Sequence, residues 1–261
     1  MRFDEAIDII EKIASPEWGA SWDNSGVQVN VGNDEINNIM FCLEINDEVI
    51  EEAIDKSVDL IVTHHPLLFV RPDRVDINEI TGRYLIKLIK SGISVYSAHI
   101  TFDNAPLGNN YYLAKLLKLE DICEIEGDIG VIGELPYEMN FKEALCHIEE
   151  SLDLPPHYIK AVGRDGMIIE KIALCTGAGG DLIYTAHNES CQMVITGDVK
   201  LNIAQDAKAL DMALVDAGHY GTEKFFSENF MSQFKEILDE TGACDVKLFV
   251  ACANTNPYSV W

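Results

Sequence analysis

The stretch LIVTHHPLLF, residues 60–69, decides the fold because an apolar run ends there on two adjacent histidines and a proline. A short, continuously apolar run of this kind is typical of a strand buried on both faces of a parallel sheet. Neighbouring side chains of a strand point to opposite faces, so the imidazoles of His64 and His65 diverge. Two diverging imidazoles do not readily chelate a single ion, whereas they can bind two neighbouring ions.

Segments with helical periodicity alternate with short apolar runs along the rest of the chain. The predicted helices cover residues 3–14, 46–56, 77–91, 108–117, 141–154, 181–188, 201–210 and 222–240. The predicted strands lie within residues 22–29, 38–45, 58–64, 92–99, 127–136, 155–163, 171–180, 192–198, 212–220 and 245–252. Because strands that alternate with helices form βαβ units, the sequence predicts an α/β protein with mostly parallel sheets.

A faint internal repeat favours two similar α/β lobes. LIVTHHP resembles MVITGDV (193–199), and VYSAHITFD (95–103) resembles LVDAGHYGTE (214–223) in its histidine and carboxylate. Any parallel sheet produces such similarities, so the repeat is only a weak indication. We predict a first lobe at 1–125, joined by part of 211–261, and a second lobe at 126–210.

The charge of the chain excludes several classes of partner. It has 44 acidic and 19 basic side chains, for a net charge of −25. An acidic surface repels phosphate backbones, so we expect neither nucleic acid nor an anionic membrane as a direct partner.

The cysteines and the first residues bear on the cellular compartment. Seven cysteines, at 42, 123, 146, 175, 191, 244 and 252, form no CxxC pair, and most lie in apolar runs. They are interpreted as mostly buried, reduced thiols. The opening MRFDEAIDIIEKIA has the pattern of an amphipathic helix rather than of a signal peptide. We therefore expect a soluble cytoplasmic protein.

Histidines and carboxylates gather where the predicted strands end, which is where α/β sheets bind ligands. They are His64 and His65, His99 with Asp103, Asp198, and His219 with Glu223. Mixed nitrogen and oxygen donors suit Zn, Fe, Mn, Co or Ni better than Ca or Mg. A bridging carboxylate such as Glu223 would hold two cations about 3.5–4 Å apart. The sequence thus predicts a dinuclear site of His64, His65, Asp103, His219 and Glu223, between the lobes at the strand ends.

Two further residues near these positions have alternative interpretations. His99 is either an ordinary hydrogen-bonded histidine or a residue beside the ligands that faces a bound water or the substrate. Asp198 is either part of the site or the N-cap of the following helix.

Two motifs are less specific. TGAGG, 176–180, is either a tight turn or a phosphate-binding loop, and it lacks both nucleotide-binding fingerprints. In WDNSGVQV, 22–29, Trp22 is assigned to core packing, whereas Asp23 and Asn24 are candidates to line a cleft.

The motifs together resemble those of the GTP cyclohydrolase 1 type 2 homologues, also called NGG-interacting-factor-three-like or dinuclear metal-centre hexameric proteins. The matching stretches are WDNSGVQV, THHPLLF, SAHITFDNAPLGNN, GVIGEL, TGAGGDLI, ITGDVK and DAGHYGTE. The resemblance implies two similar α/β lobes and a toroidal homo-hexamer, a trimer of dimers, with its metal sites facing the interior. Only residues 125–170 separate the two motif blocks, which implies the short form without a large inserted domain.

The resemblance also implies roles for the ligands. His65 and Asp103 would bind one divalent cation, His64 and His219 the other, and Glu223 would bridge them. His99 matches a position close to the metals. The chain departs from the family pattern at Leu201 and Asn202, where an aromatic residue and a histidine are expected, at Ile100–Phe102, and at PLGNN. No departure removes a ligand, but Asn202 weakens any mechanism that needs an acid–base group there.

The activity implied by the resemblance is that of a metal-dependent hydrolase, with GTP ring opening as the nominal reaction. The sequence contains no motif for guanine or triphosphate, so the substrate, a nucleotide or phosphoester, stays open. The alternatives are a non-enzymatic hexamer that stores or delivers metal or acts as a scaffold, and a regulatory binder of a nucleotide or metabolite.

Overall fold

The computed structural model describes residues 1–241 and 245–259. The strands are Gly26–Val29 (β1), Asn38–Cys42 (β2), Leu60–Thr63 (β3), Ser94–Ser97 (β4), Glu120–Glu124 (β5), Val131–Asn140 (β6), Lys160–Val162 (β7), Ile168–Leu174 (β8), Met193–Thr196 (β9), Ala213–Asp216 (β10) and Lys247–Val250 (β11). The α-helices are Phe3–Ile13 (α1), Asp47–Asp55 (α2), Ile80–Lys90 (α3), Ile100–Asp103 (α4), Asn109–Leu116 (α5), Phe141–Ser151 (α6), Leu182–Asn188 (α7), Leu201–Ala209 (α8), His219–Glu223 (α9) and Phe226–Thr241 (α10).

The chain divides into two compact units. The first unit contains Met1–Gly108 and Phe225–Pro257, and the second contains Asn109–Lys224 and the described residues 258–259. The predicted lobes differ, because residues 109–125 and 211–224 belong to the second unit. The reason is strand pairing, since β5 pairs with β6 and β10 pairs with β9.

The sheet of the first unit has the strand order β1-β4-β3-β2-β11. Strands β2, β3, β4 and β11 run parallel, and β1 is an antiparallel edge strand. The side chains of β3 and β4 are all buried, as expected for a sheet covered on both faces. This half of the molecule has the predicted mostly parallel sheet.

Two apolar layers cover that sheet. On one face, Met40 and Ile61 belong to a buried cluster with Val49 of α2 and Leu88 of α3. On α10, Phe226, Phe230 and Phe234 are spaced four residues apart, so they share one face of the helix. Phe41 of β2 contacts two of these rings, with centroid distances of 5.9 Å to Phe230 and 5.6 Å to Phe234. The packing of aromatic rings therefore fixes α10 against the sheet that carries His64 and His65.

The second unit has a six-stranded mixed sheet in the order β5-β6-β8-β9-β10-β7. Only the β8–β9 and β9–β10 pairings are parallel. Strand β5, with the sequence EDICE, forms one edge, and its acidic side chains are exposed. Its register shifts between Glu120 and Cys123, and Asp121 has a φ of 49°. The core of this unit packs Ala173 and Val194 against helices α7 and α8.

Several predictions differ from the structure in detail. The sequence does not predict strand β5, because three of its five residues are acidic and only two adjacent residues are apolar. The predicted helix 222–240 is two helices, α9 and α10. Trp22 is 60% exposed, so its assignment to the core is wrong. Of the described cysteines, those at 123, 146 and 252 are exposed, which corrects the expectation of mostly buried thiols; Cys244 lies outside the described residues.

The helices also bear on membranes. No helix within residues 1–241 or 245–259 is long and apolar enough to cross one.

Candidate metal centre

His64 and His65 directly follow β3, and the strand ladder with β2 continues through their backbone. The N–H of His64 donates to the Cys42 carbonyl and that of His65 to the Leu43 carbonyl. The Ser97 hydroxyl donates to the carbonyl of His64 at 2.7 Å. The backbone at this strand end is thus held from both sides, which limits where the two imidazoles can lie.

Each imidazole of the first unit is anchored through the same ring nitrogen. Nδ1 of His64 lies 2.9 Å from the Ala98 carbonyl, and Nδ1 of His65 lies 2.8 Å from a Glu44 carboxylate oxygen. In the neutral ring these acceptors hold the proton on Nδ1, so Nε2 is the atom that can donate a lone pair. One ligand atom from each of His64, His65 and His99 lies within 4.8 Å of the others.

His99 is the N-cap residue of the short helix α4, and Asp103 ends that helix. Nδ1 of His99 is 2.7 Å from Oδ1 of Asp23, and the Ser25 hydroxyl donates to the other carboxylate oxygen of Asp23 at 2.5 Å. Burial of Asp23 favours its neutral form, but the hydrogen bonds from His99 and Ser25 outweigh it and lower its pKa. Asp23 therefore stays ionised and orients the His99 ring.

Asp103 adds an oxygen donor to the first unit. Its Oδ1 lies 3.7 Å from Nε2 of His64, and the side chains of both residues are buried. A carboxylate is costly to bury unless it is paired or bound to a metal. The first unit thus brings together the side chains of His64, His65, His99 and Asp103.

The second unit carries its donors on the five-residue helix α9. Nε2 of His219 is 3.1 Å from Oε2 of Glu223, one turn later, and the Glu223 side chain is 2% exposed. Nδ1 of His219 is 2.8 Å from Oδ2 of Asp198. Asp198 does not cap the following helix α8, whose N-cap residue is Lys200. Helix capping is thus excluded for Asp198, and its role at the site stays a prediction.

Three anchoring residues were not assigned to the site from the sequence. Glu44 and the Ala98 carbonyl were not singled out, and Asp23 was only a candidate to line a cleft. A signal existed for Asp23, since WDNS places a carboxylate and a hydroxyl in one turn. No local signal relates Glu44 to a histidine 21 positions later.

The donor chemistry fits divalent first-row cations. Each unit offers imidazole nitrogen and carboxylate oxygen, the donors that such cations take in proteins. All four histidines at these positions have Nδ1 held by an oxygen, which is the arrangement of metal-binding histidines. The first unit therefore contains a possible metal-binding group of three histidines, and His219 with Glu223 supplies two further donors in the second unit.

Fold and donors together define the class as a two-unit α/β protein with possible metal ligands, and comparisons with known proteins identify its family. A profile of the DUF34/NIF3 family (NGG1p interacting factor 3) matches residues 1–257. A GTP cyclohydrolase 1 type 2 homolog of Clostridium perfringens is 31% identical over 99% of both chains. A GTP cyclohydrolase 1 type 2 of Helicobacter pylori is 32% identical over 85% of this chain and 87% of that protein.

A solved structure shows the same fold. The crystal structure of a Bacillus cereus protein related to NIF3 superposes with a TM-score of 0.92 at 20% identity, covering 100% of this chain and 99% of that one. This chain belongs to the DUF34/NIF3 family. Both the resemblance drawn from the motifs and the predicted α/β fold are confirmed.

Proposed function

We propose that the protein is a metal-dependent hydrolase whose centre takes two divalent cations. His64, His65 and Asp103 of the first unit and His219 and Glu223 of the second would hold them, with Glu223 as the bridge. The observation that carries the proposal is the anchoring of all four site histidines through Nδ1. Such anchoring fixes the ring orientation and raises the basicity of Nε2. When bound, cations of this kind lower the pKa of a coordinated water to about 7 and polarise the substrate.

The remaining residues of each unit would position the reacting groups. Asp198 holds the His219 ring, and Asp23 with Ser25 holds the His99 ring. His99 would face the substrate or a water beside the ligands rather than act as a ligand itself. Asn202 lies on α8 and offers no acid–base group, so proton transfer would fall to His99.

A cavity in the second unit supports a substrate with a flat ring. Its volume is about 500 Å³, and it reaches His219 and Asp198. Three tyrosines, Tyr158, Tyr220 and Tyr258, contribute to its wall. Aromatic walls with a few polar groups are typical of pockets for ring-containing ligands. The relatives' names make GTP the first nucleotide to test, followed by other nucleotides and phosphoesters.

Elemental analysis and turnover test the proposal together. Protein purified without chelators should contain about two divalent cations per chain, as a bridged pair requires. Metal-loaded protein should convert a nucleotide or phosphoester, and Glu223→Ala should abolish this. Absence of metal even after loading would remove the basis for catalysis.

The net charge of −25 favours a second candidate, a metal-storing or metal-delivering hexamer. An acidic surface concentrates cations near its sites. This function predicts rapid exchange of bound metal to an acceptor and no turnover across the substrate panel. Family membership also leads us to propose a homo-hexamer, which light scattering in solution tests; a monomer would contradict it.

A further inference from the structure

The backbone of the glycine-rich turn TGAGG, 176–180, is hydrogen-bonded to other segments of the second unit. The N–H of Gly177 donates to the Thr222 hydroxyl at 3.0 Å, and the N–H of Gly179 donates to the Thr196 hydroxyl at 2.8 Å. The Gly177 carbonyl accepts from the N–H of Gly197 at 2.7 Å. Since these N–H groups are used within the protein, the structure favours a tight turn over a phosphate-binding loop.

Gly177 lies closer to the donors of α9 than a side chain would permit. A β-carbon built on it would be 2.4 Å from Oε1 of Glu223 and 3.2 Å from Nε2 of His219. The first distance is far below any van der Waals contact. Glu223 cannot swing away at low cost, because its side chain is buried and the neighbouring Thr222 is bonded to the same turn.

We infer that Gly177 is a positioning residue for the metal centre. Its missing side chain lets the Glu223 carboxylate lie against the turn, 3.1 Å from Nε2 of His219, where both can serve one cation. This inference rests on the proposed function, since it concerns the same ligands. The glycine-rich motif thereby has a role in shaping the ligand set of the second unit.

The conformation of Gly177 calls for a matched control, because its φ of 66° alone would strain any L-residue. Gly166 has a φ of 84° and nothing within 4 Å of a built β-carbon. Gly166→Ala therefore reproduces the backbone strain in the same unit without the clash. Gly180→Ala is the control for an added methyl group in the same turn, since its nearest neighbour would be at an ordinary 3.4 Å.

The experiment titrates apoprotein with Co²⁺, following heat by calorimetry and visible absorption by spectroscopy. Gly177→Ala should bind Co²⁺ about 10- to 100-fold more weakly than wild type, the range found when the residues that orient metal ligands are altered. Gly166→Ala and Gly180→Ala should bind as wild type does. Equal affinity in Gly177→Ala and wild type overturns the inference while leaving the proposed function standing, whereas a wild type that binds no Co²⁺ overturns both.

A rescue variant separates displacement of Glu223 from a general defect of the turn. Shortening the carboxylate by one methylene in Gly177→Ala/Glu223→Asp gives the added β-carbon room. The double variant should melt at a higher temperature than Gly177→Ala in the metal-free state, where the altered ligand has no cation to bind. A double variant that melts at the same or a lower temperature than Gly177→Ala would show that Glu223 is not what the β-carbon displaces. The metal-free comparison applies even if Gly177→Ala folds poorly.

Discussion

The two units place the same kinds of donor by opposite means. In the first unit, the rings of His64, His65 and His99 contact one another, with centroid distances of 4.9 to 5.7 Å, and the ring of Phe226 lies 4.9 Å from His64. In the second unit, a β-carbon on Gly177 would meet the donors themselves, and one on Gly197 would meet the backbone at the start of their helix. The donors of the first unit are held by packed side chains, whereas the donors of the second unit fit because glycines leave room for them.

The two sets of donors should therefore respond differently to substitution of the residues around them. A packed side chain can be replaced by progressively smaller ones. The loss of unfolding free energy in the first unit should therefore scale with the volume removed. A glycine in close contact has no smaller alternative, so any substitution of Gly177 or Gly197 adds atoms where none fit. The first unit should show graded effects and the second abrupt ones.

The largest expected effect comes from Phe226→Ala in the first unit. Phe226 is fully buried and contacts Phe102, Phe230 and His64. Truncating such a ring typically costs about 3–5 kcal/mol of unfolding free energy. Phe226→Leu, which keeps most of the volume, should lose clearly less. Urea unfolding followed by fluorescence measures both, and equal losses would argue against a graded response.

Gly197→Ala, in the second unit, should cause the next largest loss of stability. A β-carbon there would lie 2.5 Å from the backbone nitrogen of His219 and 2.7 Å from the carbonyl carbon of Gly218. Forcing atoms into a packed site typically costs about 1–3 kcal/mol. Gly180→Ala, in a roomier position, is the control. If both alanines lower the urea midpoint equally, close backbone contact is not what holds α9.

Asp198→Ala and Asp23→Ala each remove a carboxylate that holds Nδ1 of a histidine. The first carboxylate is exposed and the second is buried. The side chain of Asp198 is 59% exposed, and that of Asp23 is 1% exposed. Both substitutions should weaken Co²⁺ binding about 10-fold or more, because an imidazole loses its orienting partner. Only Asp23→Ala should also lower the melting temperature, since it leaves the partly buried His99 ring and Ser25 hydroxyl without their acceptor. A large stability loss in Asp198→Ala would contradict this distinction.

The smallest expected effect is the pH dependence of stability contributed by two surface ion pairs, one in each unit. Hydrogen bonds from Lys87 and Arg83 lower the pKa of Asp47 in the first unit, and two from Arg164 lower the pKa of Asp211 in the second. A depressed carboxyl pKa stabilises the fold above the unfolded value, near 4, and this contribution is lost as pH falls through the folded value. Asp47→Asn and Asp211→Asn should therefore differ slightly from wild type at pH 7, and the difference should shrink as the pH falls below about 4. Melting temperatures across that range, repeated at high salt, provide the test; a difference that grows on acidification would reverse the sign.

The sequence predicted most elements and the placement of donors, because both depend on short-range patterns. Apolar runs such as LIVT and MVIT are recognisable alone, and the polar residues that follow them lie at strand ends. Partners distant in the chain were not predictable. Asp23 reaches His99 across 76 positions, and no periodicity relates them. Trp22 was misassigned because a large apolar residue was equated with the core, whereas its ring lies exposed with an edge toward His99.

The role of Gly177 shows a second limit of the sequence. The composition of TGAGG indicates a turn. Whether one of its glycines is required depends on which atoms a side chain at that position would contact. Only the distances to Glu223 and His219 supply that information. The boundaries of the two units depended on strand pairing in the same way, since apolar patterns do not say which strands become neighbours.

The outer strand β5 has a consequence for how copies of this chain meet. An exposed strand edge invites pairing with a second chain, and proteins discourage this with charge and irregular backbone. Three acidic side chains line this edge, those of Glu120, Asp121 and Glu124. The strand is bent by its register shift and by the left-handed backbone conformation of Asp121. Two such edges would repel each other, so sheet-to-sheet fusion through β5 is blocked at ordinary ionic strength. Near 1 M salt, where screening shortens the reach of charge to about 3 Å, only the bend would still oppose fibrous association.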